Sequence, residues 1–220
     1  MATPPRSPET LVRVIEREGV GDRRVLDAFR RVPRNRFVPP EWEERAYEDR
    51  PIPIPHGQVT TQPSLIARMV AGLRLEGHER VLEVGTGLGF QTAILAVLAR
   101  EVFSIERFPD LAEWARRNLE AAGFAGVTVV VGDGTKGLPE RAPFDATVVS
   151  AAAPAVPGPL VEQLAEGGRL VHPLGPGGDE TVIAYRKDQG RLVEKARLTP
   201  ATFVPLVGEH GLPEDRSHGR

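Results

Sequence analysis

The sequence predicts an α/β protein built on a doubly wound, mostly parallel sheet, with an antiparallel C-terminal section and an added N-terminal helical segment. Three observations predict it. The run Val81-Leu82-Glu83-Val84 leads straight into the glycine-rich turn Gly85-Thr86-Gly87-Leu88-Gly89, and then into a helix-like stretch carrying Ala93, Ile94, Val97 and Leu98. That is strand, tight turn and helix, the first half of a βαβ unit. From Arg80 to Leu174 strand-like and helix-like segments alternate, as crossover helices on a parallel sheet require. Beyond Leu174, the stretches TVIAYRK, RLVEKARL and TFVPLV read as strands with no helix between them, so the sheet ends antiparallel.

The elements follow in order. Leu11, Val12, Val14 and Ile15 predict a helix over 9–18, closed by Gly19. Asp22 is a good N-cap for a second helix reaching Arg31, with Val25, Leu26 and Phe29 on one face and Pro33 as its stop. The stretch from Arg34 to Gln62 is long, Pro-rich and without clear periodicity, yet holds Phe37, Trp42 and Tyr47. Long irregular stretches in compact domains are functional or disordered, and the aromatic content argues against disorder. Pro63 suits the first turn of a helix ending at Leu73, with Leu65, Ile66, Met69 and Val70 as its apolar face. Further strands are expected over 101–106, 127–131, 144–150 and 169–174. A helix is expected around Leu111, Ala115 and Leu119, and a short one over 159–165, stopped by Gly167-Gly168.

Composition sets limits. At 220 residues the chain suits one α/β domain with a small N-terminal addition. A net charge of -2 gives no sign of a polyanion surface. With no cysteine, disulfides, thiolate catalysis and Cys-ligated zinc are excluded, and the histidines show no metal-ligand spacing. No apolar run approaches the roughly 20 residues that span a bilayer, and the opening MATPPRSPET lacks the apolar core of a signal peptide. The expectation is a soluble cytoplasmic protein that works without nucleic acid, membrane or metal.

The glycine turn locates the chemistry. A dinucleotide fingerprint needs its third glycine at position 90, where Phe90 stands. The spacing here is G-x-G-x-G. It suits a nucleoside ligand without a pyrophosphate, S-adenosylmethionine above all, although a tight strand–helix turn occurs in any α/β protein. Ligands of open α/β sheets lie across the carboxyl ends of the strands. Glu106 ends the second strand, where its carboxylate is placed for a ribose diol, with Arg107 beside it. Asp133 and Gly134 follow the third strand. Asp133 either accepts from an adenine amino group or makes an ordinary Asp-Gly turn. Gly85, Thr86 and Gly87 flank the methionine arm, and Glu83 is expected to orient the loop through backbone N–H groups.

Beyond this pattern, VLEVGTGLGFQTAILA, SIERFPDLAEWAR, VVVGDGTKGLPERAPFDATVVSAAAPAVP, QLAEGGRLVHPLG and FVPLVG resemble the protein-L-isoaspartate O-methyltransferases, as do RFVP, AYEDRPIPI and GQVTTQPSLIARM. The resemblance runs from Val25 to Gly208. The glycine turn and the acids are shared with many S-adenosylmethionine methyltransferases; the stretch from Arg36 to Met69 is specific. It implies a Rossmann-like methyltransferase fold whose terminal segments close over the cofactor. It also implies methyl transfer to the free α-carboxylate of L-isoaspartyl residues in damaged proteins and peptides, leaving S-adenosyl-L-homocysteine. The implied organisation is N-terminal helices and an active-site loop over 1–78, a cofactor-binding domain over 79–208 and a flexible tail over 209–220, in a monomer.

The family motif reads roughly G-Q-T-I-S-x-P, its serine supplying the active-site hydroxyl. Here it reads Gly57-Gln58-Val59-Thr60-Thr61-Gln62-Pro63. The serine position is therefore Thr61, with Thr60 as the neighbouring hydroxyl; Thr61 also stands where it would cap the helix that Pro63 begins. Main-chain groups near Val204 to Val207 are expected to hold the substrate peptide as an added strand. His56 is not needed as a base, because a carboxylate is already ionised at neutral pH, and His172 is expected to be a packed strand residue. Two other readings remain: a methyltransferase acting on RNA or a small molecule, and a cofactor-binding protein without catalysis.

Overall fold

The structure is a computed structural model and describes residues 7–175 and 178–214. Helix α1 (Pro8–Arg17) opens on a capping box in which Ser7 and Thr10 satisfy each other's main-chain N–H groups. Helix α2 (Arg23–Arg31) starts on the Asp22 carboxylate, which accepts from the N–H groups of Arg24 and Val25. Both helices bury an apolar face, Leu11, Val12 and Ile15 from the first and Val25, Leu26, Ala28 and Phe29 from the second. The segment after Pro33 contains two 3-10 turns (Arg34–Phe37 and Pro40–Arg45) and the antiparallel hairpin β1 (Ile52–Ile54) and β2 (Gln58–Thr60). Helix α3 (Pro63–Leu73) follows.

The main sheet is then laid down by β3 (Arg80–Val84), α4 (Phe90–Leu98), β4 (Glu101–Glu106), α5 (Pro109–Ala121), β5 (Thr128–Val131), β6 (Phe144–Val149), α6 (Gly158–Glu162), β7 (Leu164–Leu174), β8 (Glu180–Asp188) and β9 (Arg191–Ala201). Its order is β5-β4-β3-β6-β7-β8-β9. Strands β3 to β7 run parallel; β8 and β9 are antiparallel additions. The chain winds outward from β3 to β5 and then restarts on the other side at β6. The crevice between β3 and β6 is therefore the topological switch point, where α/β sheets bind ligands. Alternation along the strands feeds two cores. Val81, Val102 and Val148 pack with α1 to α4 on one face, while Leu82, Phe103 and Val149 pack around Leu160 on the other.

Three expectations change. Helix α6 is only five residues long, and β7 begins at Leu164 rather than Arg169. Gly167 and Gly168 do not stop the chain; they lie inside β7, at an irregularity where pairing with β6 shifts register. The stretch TFVPLV is not a strand. Pro205 has no N–H to give a ladder, and the segment makes isolated bridges instead, Pro205 with Ala152 and Val207 with Leu212. Of the residues expected to form a tail, Glu209 donates its N–H to Asp133 and Glu214 pairs with Arg107; residues 215–220 lie outside the described ones.

Candidate functional site

Strand β3 ends at Val84 and the chain turns through Gly85 and Gly87, at φ +95° and +56°. Side chains rarely adopt these angles, so the turn needs glycine and leaves bare main chain facing a ligand. Glu106, at the end of β4, clamps the turn from the side. Its two oxygens accept from the N–H groups of Gly87 (2.9 Å) and Phe108 (3.1 Å). Burial pushes the Glu106 carboxyl above the usual range despite these bonds. Thr86 ties the turn to Ser104 by a 2.6 Å hydroxyl contact. At Gly134 a Cβ would lie 2.4 Å from Val84 Cγ1, so only glycine lets the loop after β5 close against β3. Arg107 lies over the Phe108 ring and pairs with Glu214 at 2.7 Å.

These groups surround a cleft at the carboxyl ends of β3, β4 and β6, lined by Gly85, Thr86, Gly87, Glu106, Arg107 and Gly134 among others. Ile54, Phe108 and Leu111 add apolar walls. Bare main chain on one side, a buried carboxylate beyond it and an apolar slot beside that carboxylate fit a purine nucleoside with a short polar arm. S-adenosylmethionine is such a molecule.

Glu83 is placed differently from expectation. It does not line the cleft, and it orients nothing through backbone N–H groups. It is fully buried beneath the turn, where its carboxylate accepts from Thr92 (2.5 Å), Ser104 (2.6 Å) and Gln91 (3.0 Å). Desolvation raises its carboxyl to about 7 against the pull of these three donors. Asp133 makes the Asp-Gly turn: its Oδ1 accepts from the N–H and hydroxyl of Thr135, and its Oδ2 from Glu209 N–H. Burial works against the Asp133 carboxylate, but these bonds hold it below the usual range. It borders an adjoining cavity; Arg107 and Val207 line both cavities.

The two threonines differ in their bonding. Thr60 Oγ1 accepts from Ile52 N–H at 3.1 Å and from Arg34 Nη2 at 3.2 Å, so its hydroxyl is a structural joint. Thr61 lines the cleft, and its hydroxyl has no hydrogen-bond partner among the described residues. Nor does Thr61 cap α3. The N-cap is Gln62, which offers no side-chain cap, and Asp49 reaches across instead to accept from Ser64 N–H and Gln62 Nε2. Val204 and Val207 line the same cleft.

Sequence reasoning missed the group that shapes this region. Arg34 is 1% exposed and donates to the carbonyls of Ala46 (2.6 Å), Glu48 (2.9 Å) and Arg50 (3.1 Å) as well as to Thr60. Its guanidinium lies over Phe90, and desolvation lowers it to about 10, still a cation at neutral pH. No periodicity marks it. His56 joins two elements at the edge of the site. It stacks flat on Phe108 and contacts both Asp110 oxygens, tying the β1–β2 hairpin to the start of α5. His172 is buried in β7 with Nε2 3.1 Å from the Ala151 carbonyl, and burial lowers it to about 3.

A third cavity adjoins the first along Gln62, Leu65, Arg68 and Thr202. Val59, Thr61, Ser150 and Val204 line both. The free Thr61 hydroxyl thus stands at the junction of an inner cleft and an outer groove.

Comparison with known proteins shows the family. A family model described as protein-L-isoaspartate(D-aspartate) O-methyltransferase matches residues 6–211. A protein-L-isoaspartate O-methyltransferase of Methanoculleus marisnigri is 52% identical over 197 residues, covering 90% of this chain and 89% of that protein. One from Aeropyrum pernix is 50% identical over 210 residues, covering 93% and 81%. A solved protein-L-isoaspartate O-methyltransferase superposes with a TM-score of 0.81 at 29% identity, covering 93% of this chain and 67% of that one. A Plasmodium falciparum structure assigned to the same activity, solved with S-adenosyl-L-homocysteine, gives 0.81 at 23% identity, covering 92% and 99%, and attests the fold.

Proposed function

The chain belongs to the protein-L-isoaspartate(D-aspartate) O-methyltransferase family, and we propose that it methylates the free α-carboxylate of L-isoaspartyl residues in damaged proteins and peptides. The observation that carries this reading is the unpartnered Thr61 hydroxyl where the inner cleft meets the outer groove. S-adenosylmethionine supplies a methyl carbon activated by the sulfonium charge.

The chain's residues have a limited task. The acceptor carboxylate, with a pKa near 4, is ionised at neutral pH and needs no base. The protein must hold it, aim it and keep water out; positioning of this kind is worth roughly 7–11 kcal/mol of a barrier. Thr61 donates to one carboxylate oxygen and leaves the other facing the inner cleft. The main chain of Gly85, Thr86 and Gly87 faces the methionine arm, Glu106 the ribose diol, and Gly134 the ring. Asp133 keeps one acceptor lone pair, on Oδ2, for an adenine amino group where the two adjoining cavities meet at Arg107. In the outer groove, Val204 and its neighbours face the substrate main chain, beside the point where Val204 O and Leu206 N–H pair with Ala152. Thr60 supports this surface from behind, through Arg34.

The near-neutral net charge supports a protein partner rather than nucleic acid. Among the described residues no helix is long and apolar enough to cross a membrane. We read the working form as a cytoplasmic monomer with residues 1–78 covering the cofactor domain. The deciding experiment is transfer of a labelled methyl group from S-adenosylmethionine to paired peptides that differ only in Asp against isoAsp. Labelling confined to the isoAsp peptide is expected; equal labelling, or none, overturns the reading.

A further inference from the structure

Ser150 follows β6 at the switch point, next to the glycine turn. Its N–H donates to Val84 O at 2.8 Å, which fixes its backbone against the end of β3. Of the four residues shared by the inner cleft and the outer groove, only Thr61 and Ser150 carry side-chain hydroxyls. The Ser150 Oγ accepts from Gln91 Nε2 at 2.9 Å. The direction of that bond is set on the far side of the amide. The same Nε2 lies 3.0 Å from Glu83 Oε1; above about pH 7, where Glu83 has lost its proton, that oxygen can only accept, and Gln91 turns its nitrogen toward Ser150. A hydroxyl that accepts from an amide keeps its own hydrogen for another acceptor, and among the described residues none takes it.

We propose that Ser150 is a second substrate-binding hydroxyl. It donates to the acceptor carboxylate from the β6 side while Thr61 donates from the α3 side. This rests on the isoaspartyl methyltransferase reading and deepens it. The serine proton stays on Oγ throughout. Methylation turns the carboxylate into a neutral ester, so a donor to that carboxylate is held more strongly before transfer than after it. Its contribution therefore falls on substrate binding more than on turnover.

The test is Ser150→Ala, with Ser150→Gly as a second truncation and Ser150→Thr as the conservative replacement. KM and kcat are measured on an isoaspartyl peptide, and S-adenosyl-L-homocysteine binding by calorimetry. For both truncations the peptide KM is expected to rise about tenfold or more, as loss of a charge-assisted hydrogen bond implies. Their kcat and product affinity should stay within about threefold of wild type, the pattern of lost ground-state binding. Ser150→Thr should restore most of the KM. Unchanged peptide KM in both truncations, with normal product binding, overturns the assignment. So does a fall in product affinity at constant peptide KM, which would put Ser150 on the cofactor. A wild type that methylates no isoaspartyl peptide would overturn the functional reading itself, and this assignment with it.

Discussion

The segment over 34–62 and the glycine-turn cradle each close around one buried ionisable side chain, and the two are satisfied in opposite ways. Arg34 spends its hydrogen bonds mostly on main-chain carbonyls, those of Ala46, Glu48 and Arg50. Glu83 spends its own on side chains, those of Gln91, Thr92 and Ser104. The difference follows from what the local backbone already has. Around Glu83 the carbonyls and N–H groups are paired in β3, β4 and α4, so the carboxylate can tune a geometry that the ladders impose. Around Arg34 the chain is made of 3-10 turns and a three-residue hairpin. There the main chain lacks donors, and buried carbonyls must find one. A guanidinium fork replaces the missing ladder. One cation thus holds in place the loop that presents Thr60 and Thr61.

The largest effect should come from breaking the segment that depends on a side chain. Arg34→Met removes the donor from three carbonyls and Thr60, and each buried polar group left unpaired costs about 1–3 kcal/mol. Hydrogen exchange over 46–60 should speed up markedly. Methyl transfer should fall about 100-fold or more, the scale of loss when reacting groups are misplaced by an ångström. Product affinity should suffer less, because the glycine turn and Glu106 do not depend on Arg34. Arg34→Lys should fall between, since a single ammonium cannot reproduce the fork. Wild-type exchange rates over 46–60 in Arg34→Met would show that the segment holds itself without the cation.

The next effect separates the two threonines within that segment. Thr61→Val keeps the shape and removes a free hydroxyl. It should lower kcat/KM by roughly tenfold or more, the worth of a hydrogen bond to a charged group, at nearly constant Tm. Thr61→Ser should retain activity. Thr60→Val should act through stability, because it takes the acceptor from both Arg34 Nη2 and Ile52 N–H. At about 1 kcal/mol or more for each donor left unpaired, Tm should drop by about 4–8 °C for a chain of this size. A Thr60→Val that is inactive at unchanged Tm, beside an active Thr61→Val, would exchange the two roles.

What the sequence made legible follows the same division. Strands, crossover helices and the glycine turn were readable because their hydrogen bonds are local or periodic and leave a spacing in the residues. The edge of β7 was misplaced because Gly167-Gly168 has the same appearance as a stop or as a bulge. Arg34 could not be read, since its partners lie 12 to 26 residues away with no period to connect them. The motif alignment ranked Thr61 over Thr60, but their bonding could not be inferred from it. Glu83 was noticed, and its partners were missed. Thr92, Gln91 and Ser104 converge on it only once α4 and β4 are packed on either side of β3. Ser150 went unremarked as a site residue because a single serine at a strand end carries no pattern of its own.

The smallest expected effect on turnover is also the one that tests how the cradle is held. Glu83 is fully buried, and desolvation lifts its carboxyl from 4.5 to about 7. A carboxyl raised by folding keeps its proton in the native state while the unfolded chain has lost it. Between pH 4.5 and about 7 the native state therefore binds more protons at this site, and the site's contribution to stability falls as pH rises, by up to about 1.4 kcal/mol per pH unit. Below pH 4.5 the contribution is fully present, since both states are protonated there. Glu83→Gln cannot titrate and keeps nearly the same shape. The Tm of wild type minus that of Glu83→Gln should therefore fall as pH is raised from 4.5 to 7 and level off above it. The slope should reach a few degrees per pH unit, given about 2–4 °C per kcal/mol at this chain length. Methyl transfer by Glu83→Gln at pH 6 should stay within about threefold of wild type, as expected for a group that positions the turn without touching either substrate. A Tm difference that instead rises with pH would mean that the three donors outweigh desolvation. Glu83 would then be held as an anion, and the cradle, like the Arg34 segment, would be closed by a charge rather than tuned by one.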